Sequence, residues 1–145
     1  MKAADDKDVA GFAALHALCF EKAWDAQTIA DLLAQPPVFA LGTEQGFILA
    51  RAAGGEAEIL TLAVHPAARR RGLGAALVRA AAEQARVLNA EMLFLEVGED
   101  NVPARALYER LGFSMVGTRK AYYGGPQNAL VLRAALPLSA LGKTG

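Results

Sequence analysis

Cysteine is almost absent from this chain. Cys19 stands alone, which rules out an internal disulfide and a cysteine-built metal cluster. Histidine is nearly as scarce, at His16 and His65. No stretch approaches the roughly 18 apolar residues that a membrane span needs. An excess of either charge is missing too, because 15 Lys plus Arg balance 15 Asp plus Glu. A broad nucleic-acid face needs many phosphate-neutralising cations, so that class is set aside. A zero sum still leaves room for a local anion site. The opening MKAADDKD is acidic and lacks the apolar segment of a signal peptide. The expectation is a cytoplasmic protein with no metal, no direct nucleic-acid partner and no membrane partner.

What is present describes an ordered globular domain: 145 residues, 54% hydrophobic and 21% charged. Residues 1–136 read as one domain and 137–145 as a flexible tail. Val9, Phe12, Ala13, Leu15 and Phe20 recur at helical spacing behind Asp5 and Asp6, which can cap. Asp25, Ile29, Leu32 and Leu33 mark a second short helix that Pro36-Pro37 stops. Strands are expected over 38–43, 46–53 and 56–64, the last two joined at Gly54-Gly55. A helix over 72–89 follows, with Leu73, Leu77, Val78, Ala81, Ala85 and Leu88 inward. MLFLEV at 92–97 reads as a strand covered on both faces. Helix 102–111, closed by Gly112, then precedes strands over 113–120 and 128–134. This order predicts a mixed α/β sheet with helices on both faces. The strands at 56–64 and 92–97 become parallel neighbours through a right-handed crossover.

Arg69-Arg70-Arg71-Gly72-Leu73-Gly74 lies between a strand end and a helix start. Free N–H groups at a helix N-terminus cradle phosphate oxygens, and glycine lets them approach the backbone. The arginines add charge where a pyrophosphate would lie. The bland alternative is a solvated arginine run with ordinary turn glycines. A Walker-type loop is excluded, since Ala75 and Ala76 stand where Lys and Ser or Thr would be needed. A dinucleotide fingerprint fails at Leu77, its third glycine position.

With Arg69, Gly72 and Gly74 matching an Arg-x-x-Gly-x-Gly loop, the chain resembles the GNAT family of N-acetyltransferases from about residue 9 to 134. CFEKAW at 19–24, LAVHPAARRRGLGAALV at 62–78, LFLEV with Asn101 and ALYERLGF at 93–113, and Tyr122-Tyr123 before Asn128-Ala129 bring it nearest the RimI-type ribosomal-protein N-alpha-acetyltransferases. That likeness implies a mostly antiparallel sheet with a splayed parallel strand pair. It implies acetyl-CoA as acetyl donor, with pantetheine bonded to Leu62, Ala63 and Val64. The pyrophosphate would lie over 69–75: Arg69, Arg70, Arg71, Gly72, Leu73, Gly74 and Ala75. Asn101 would help hold the pantetheine arm, and Arg105 is a candidate for the 3′-phosphate region or a plain surface residue. Trp24, Tyr122 and Tyr123 would line the acceptor groove, although core packing could use all three. The implied acceptor is a protein N-terminus, such as a ribosomal protein with an exposed Ala, used by a monomer or weak dimer. Three features depart from the family: only 1–4 remain for the first strand, Gly98 replaces Arg, and the loop after the paired tyrosines is short.

Glu96 interrupts an apolar strand, where carboxylates seldom sit unpaired. It reads as a general base for an ammonium acceptor, acting directly or through water, or else as a group capping N–H donors or pairing with arginine. Tyr108 alone suggests an aromatic anchor; the likeness makes it the donor to the departing thiolate. Cys19 lies on an inner helix face with no histidine placed to activate it, so direct transfer is preferred to an acetyl-cysteine route. His65 reads as structural or solvent-facing and His16 as a helix-face residue. A small amine as acceptor, or an acetyl-CoA-binding sensor without activity, are the other readings.

Overall fold

The computed structural model describes residues 2–3, 5–120 and 128–138. Asp5 opens the first turn through a reciprocal cap with Asp8, and α1 (Val9–Cys19) follows. Asp25 accepts from Thr28 N at 2.8 Å and so starts α2 (Ala26–Leu33). The strands are β1 (Lys2–Ala3), β2 (Val38–Thr43), β3 (Gly46–Ala53), β4 (Glu56–Val64), β5 (Met92–Gly98), β6 (Ser114–Arg119) and β7 (Ala129–Ala135). Helices α3 (Leu73–Val87) and α4 (Val102–Arg110) flank β5 in the chain. Among the described residues these strands form one sheet in the order β1-β2-β3-β4-β5-β7-β6. Every pair is antiparallel except β4 with β5. The residues before α1 thus do supply a first strand, shortened to Lys2–Ala3 against Leu41 and Gly42.

One face of the sheet is packed by α3 and α4, with Leu77, Val78, Ile48, Leu93, Leu95 and Tyr108 in a common core. The other is packed by α1 and α2 through Val9, Phe12, Ile29, Phe47 and Leu49. Leu77, Ile48 and Leu93 are each fully buried, worth roughly 1.5–3 kcal/mol apiece relative to exposure.

In β4 the register shifts: Leu49 faces Thr61 while Ala50 faces Ile59, leaving Leu60 as a bulge. An extra residue reverses which side chains point where. Ala57, Ile59, Leu62 and Val64 therefore pack on the α3 side, while Thr61 and Ala63 turn to α1. Burial alternates straight through this point, since both sheet faces are covered there.

Three expectations need correction. β5 is not covered on both faces: Leu93, Leu95 and Val97 are buried, but Met92, Phe94 and Glu96 are only half-buried. Among the described residues, the main contacts of α1 and α2 fall on β2, β3 and β4 rather than on β5. Leu88 is exposed because α3 ends at Val87 and Leu88 is its cap. Phe20 is exposed as well, lying just past α1, and His16 takes the inward position. Leu136 and Leu138 also pack against the α3 core.

Candidate active site

β4 and β5 pair only at Glu56–Met92, Ala57–Leu93 and Glu58–Phe94. Beyond that point β4 stays with β3, and β5 stays with β7 along its full length. The bulge at Leu60 sits where the two strands part, as expected of a device that bends one strand away. Among the described residues the facing edges of 59–64 and 95–98 therefore have no strand partner, and their polar groups need other hydrogen-bond partners. Leu62, Ala63 and Val64 lie on this open edge as expected. The carbonyl of Val64, however, already accepts from Arg69 Nε at 3.2 Å and from the Cys19 thiol at 3.3 Å.

The helix start that follows has an unusual backbone. Gly72 is the N-cap of α3 at φ +79°, and Arg70 is also left-handed at φ +66°. Left-handed residues here turn successive N–H groups into a concavity. No side chain caps α3, so the N–H groups of Leu73, Gly74 and Ala75 face outward without a helical carbonyl. Arg70 and Arg71 are exposed beside them. Arg69 is not part of that cluster: its guanidinium turns back to Val64 and lies 3.5 Å from Cys19 Sγ. The two glycines serve different ends. A Cβ on Gly72 would meet nothing within 4 Å, so backbone conformation is what demands glycine there. A Cβ on Gly74 would sit 3.4 Å from Leu107 Cδ2, against α4.

Glu96 projects from β5 on the side away from α3, because its neighbours Leu95 and Val97 enter the α3 core. It lines an open hollow of about 360 Å³ with Arg51, Glu56, Glu58, Phe94 and Arg119. Arg119 Nε lies 2.9 Å from Glu96 Oε2, and Arg51 lies 3.8 Å from Glu58. Arg119 was not singled out from the sequence. The signal was the hairpin register: Val131 pairs with both Glu96 and Gly117, which places Arg119 two residues along the same face. A second hollow, about 420 Å³ between α1 and the β2–β3 turn, is lined by Lys7, Asp8 and Glu44 and does not include Glu96.

Tyr108 is carried by α4, which Asn101 caps by accepting from Ala104 N at 3.3 Å. Asn101 is thus occupied through its oxygen. Arg105 Nη1 donates to Glu99 O at 2.7 Å, closing the β5–α4 turn, and Glu99 accepts from Asn128 N at 3.2 Å. The Tyr108 ring is 7% exposed and packs edge-on to Phe113. Burial pushes its hydroxyl up to about 12, so it keeps its proton at neutral pH.

His16 is the other feature that sequence reasoning missed. It is 3% exposed, with its ring stacked between Phe20 at 4.2 Å and Trp24 at 5.0 Å. Its spacing with Val9, Phe12 and Cys19 on one helix stripe was the available signal. Nδ1 accepts from the backbone N–H of Trp24 at 3.0 Å, and Nε2 lies 3.1 Å from Thr61 Oγ1. His65 is structural, with Nδ1 accepting from Ala67 N. Tyr122 and Tyr123 lie outside the described residues.

The sequence over residues 2–113 matches the model of the acetyltransferase (GNAT) family. The chain belongs to that family. The [ribosomal protein bS18]-alanine N-acetyltransferase of Escherichia coli (strain K12) is 38% identical to it over 87 residues, covering 58% of this chain and 57% of that protein. The chain thus aligns with little more than half the length of such curated relatives. The crystal structure of the Escherichia coli ribosomal-protein-S18-alanine N-acetyltransferase superposes with TM-score 0.84 at 22% identity, over 96% of this chain and 94% of that one. Ard1 from Thermoplasma volcanium superposes with TM-score 0.83 at 27% identity, over 92% and 95%. The fold of the GNAT acetyltransferases is therefore that of this chain.

Proposed function

We propose that this GNAT protein transfers the acetyl group of acetyl-CoA to the N-terminal α-amine of a protein, in the cytoplasm. The observation that carries the reading is the arrangement around the splay. The anion concavity at 70–75 opens on the α3 side, and Glu96 opens on the opposite side of the same gap. Donor and acceptor then approach from opposite faces and meet between β4 and β5. The open edge at Leu62 and Ala63 and the N–H groups of Leu73, Gly74 and Ala75 fit the pantetheine and pyrophosphate of acetyl-CoA. That molecule would supply the activated thioester.

Glu96 takes a proton from the ammonium, directly or through one water, so that the amine attacks as a nucleophile. An α-amine has an ordinary pKa of about 7.7–8.0 against about 10.4 for lysine, so it asks less of a carboxylate base. Tyr108 lies in the core beside β5 and directs its hydroxyl to the departing sulfur. Full proton transfer from a hydroxyl near 12 to a thiolate of ordinary pKa about 8.5 runs uphill by roughly 5 kcal/mol. Tyr108 therefore acts as a hydrogen-bond donor, and the thiolate is protonated by the second proton that the amine gives up after attack, relayed through water.

Similarity to proteins named for acetylation of ribosomal protein alanine supports a protein acceptor. The charge pattern of the Glu96 hollow supports it as well. Glu58 and Glu96 each have an arginine partner, which makes a poor acidic cup for a polycation. The test is a competition between a peptide beginning Ala-Arg, the same peptide N-terminally blocked but containing Lys, and spermidine. Product from the unblocked peptide alone is expected; faster acetylation of spermidine or the internal Lys refutes the reading.

A further inference from the structure

Between α1 and α2, residues 20–25 cross the face of the sheet on which Glu96 opens. Glu21, Lys22, Ala23 and Asp25 are exposed, and Trp24 is half-buried. What holds Trp24 is His16. The imidazole lies almost parallel to the indole, at 12°, and accepts the Trp24 backbone N–H through Nδ1. A backbone N–H can only donate, so Nδ1 carries no proton and the ring proton is on Nε2. Nε2 then donates to Thr61 Oγ1 at 3.1 Å. Thr61 belongs to the stretch of β4 that has parted from β5, and the bulge at Leu60 turns it to the Glu96 side of the sheet. One arm of the splay thus carries Thr61 and the other carries Glu96, facing the same way.

We propose that His16 is a positioning residue for the acceptor: through Nδ1 it fixes Trp24 and through Nε2 it fixes the ring to β4. Together these bonds hold a Phe20–His16–Trp24 stack as one wall of the acceptor groove. The inference rests on the acetyl-transfer reading above, since it gives that wall its purpose. Both nitrogens are needed because each binds a different element. The Nδ1 bond sets the loop, and the Nε2 bond sets its distance from the strand that carries the gap. The outer ring, Phe20, is 42% exposed and free to meet an acceptor's first side chains.

Two substitutions separate the bonds. In His16→Asn the side-chain oxygen falls near the position of Nδ1 and can still accept from Trp24. In His16→Gln the side-chain nitrogen falls near the position of Nε2, so Thr61 keeps its donor while Trp24 loses its acceptor. H16Q should raise the KM for an unblocked peptide about tenfold, equal to ~1.4 kcal/mol and similar to one hydrogen bond's net worth. The KM for acetyl-CoA and the kcat at saturation should stay near wild type. H16N should raise peptide KM at least threefold less than H16Q. Equal loss in both variants, or a loss shared by acetyl-CoA, assigns His16 a merely structural role and overturns the proposal.

Two measurements on the wild-type protein decide the matter if a variant does not fold. The 15N spectrum of His16 at neutral pH should show an unprotonated Nδ1 and a protonated Nε2. Amide exchange should protect Trp24 well above Glu21, Lys22 and Ala23. The opposite tautomer, or a Trp24 amide exchanging like its neighbours, refutes the clamp. If wild type leaves the unblocked peptide unacetylated, the functional reading fails, and with it the acceptor role. The spectrum and the exchange then report separately on whether the clamp itself exists.

Discussion

The two sides of the splayed strands are built from different parts of the chain. On the α3 side the proposed recognition elements are backbone: a left-handed Arg70 and Gly72, uncapped N–H groups of α3, and the edge of β4 that has left β5. On the α1 side they are side chains brought from distant positions: His16, Trp24, Thr61, Glu96 and Arg119. A backbone cradle suits a ligand that does not change. A side-chain wall can be altered one residue at a time, which fits it to distinguish acceptors.

The contrast is broken most sharply at Glu96. E96Q should lower kcat by about 10²–10⁴ while acetyl-CoA affinity by calorimetry is unaltered. Activity should partly recover as pH nears the acceptor's own pKa. A variant with wild-type kcat when chemistry limits the rate would remove Glu96 from the mechanism.

Tyr108 packs in the α3 core, and its proposed role is at the leaving group. Y108F keeps the packing against Phe113 and should cost about 10²-fold in kcat, the scale for one positioned donor. Because the role is hydrogen bonding, the loss should be nearly constant from pH 6 to 9. A loss confined to one end of that range would mark a true proton transfer.

The backbone side is tested at its glycines. G72V places a β-branched residue at φ +79°, a strain of roughly 1–2 kcal/mol or more. Acetyl-CoA binding should weaken about tenfold as the loop re-forms elsewhere. G74V presses instead on Leu107, so its main effect should be on thermal stability. Equal affinity in a folded G72V protein would take the pyrophosphate away from this loop.

These differences also explain what could be read from the sequence. Strand limits at 38–43, 46–53 and 56–64 were legible because glycine turns and apolar periodicity are local. The turn at 69–74 was local too, since its arginines and glycines are adjacent. The half-buried side of β5 was not legible, because an apolar run does not reveal how far a covering helix reaches. Arg119 needed the β6–β7 register, and His16 needed α1 docked on β4, both long-range facts. Arg69 shows the same limit from the other direction: its place in the motif is local, yet tertiary packing turns it to Val64.

The smallest expected effect concerns how the side-chain wall responds to acid. Burial holds the His16 imidazole below its ordinary value of 6.5, and both nitrogens are already committed in the neutral form. The unfolded chain therefore binds a proton more readily than the folded one, so stability must fall as pH drops below about 6.5. The contribution is complete above the unfolded value and is lost as pH falls through the folded one. Protonating Nδ1 would set two donors against each other at Trp24, so the loop between α1 and α2 should loosen first. Other groups titrate in the same range, and the informative quantity is the difference between wild type and H16N. The drop in Tm from pH 7 to pH 5 should be smaller in H16N, which has no imidazole to protonate, by a few degrees. Parallel curves for the two proteins would mean that the ring accepts its proton without losing Trp24, and the wall would then be held by stacking alone.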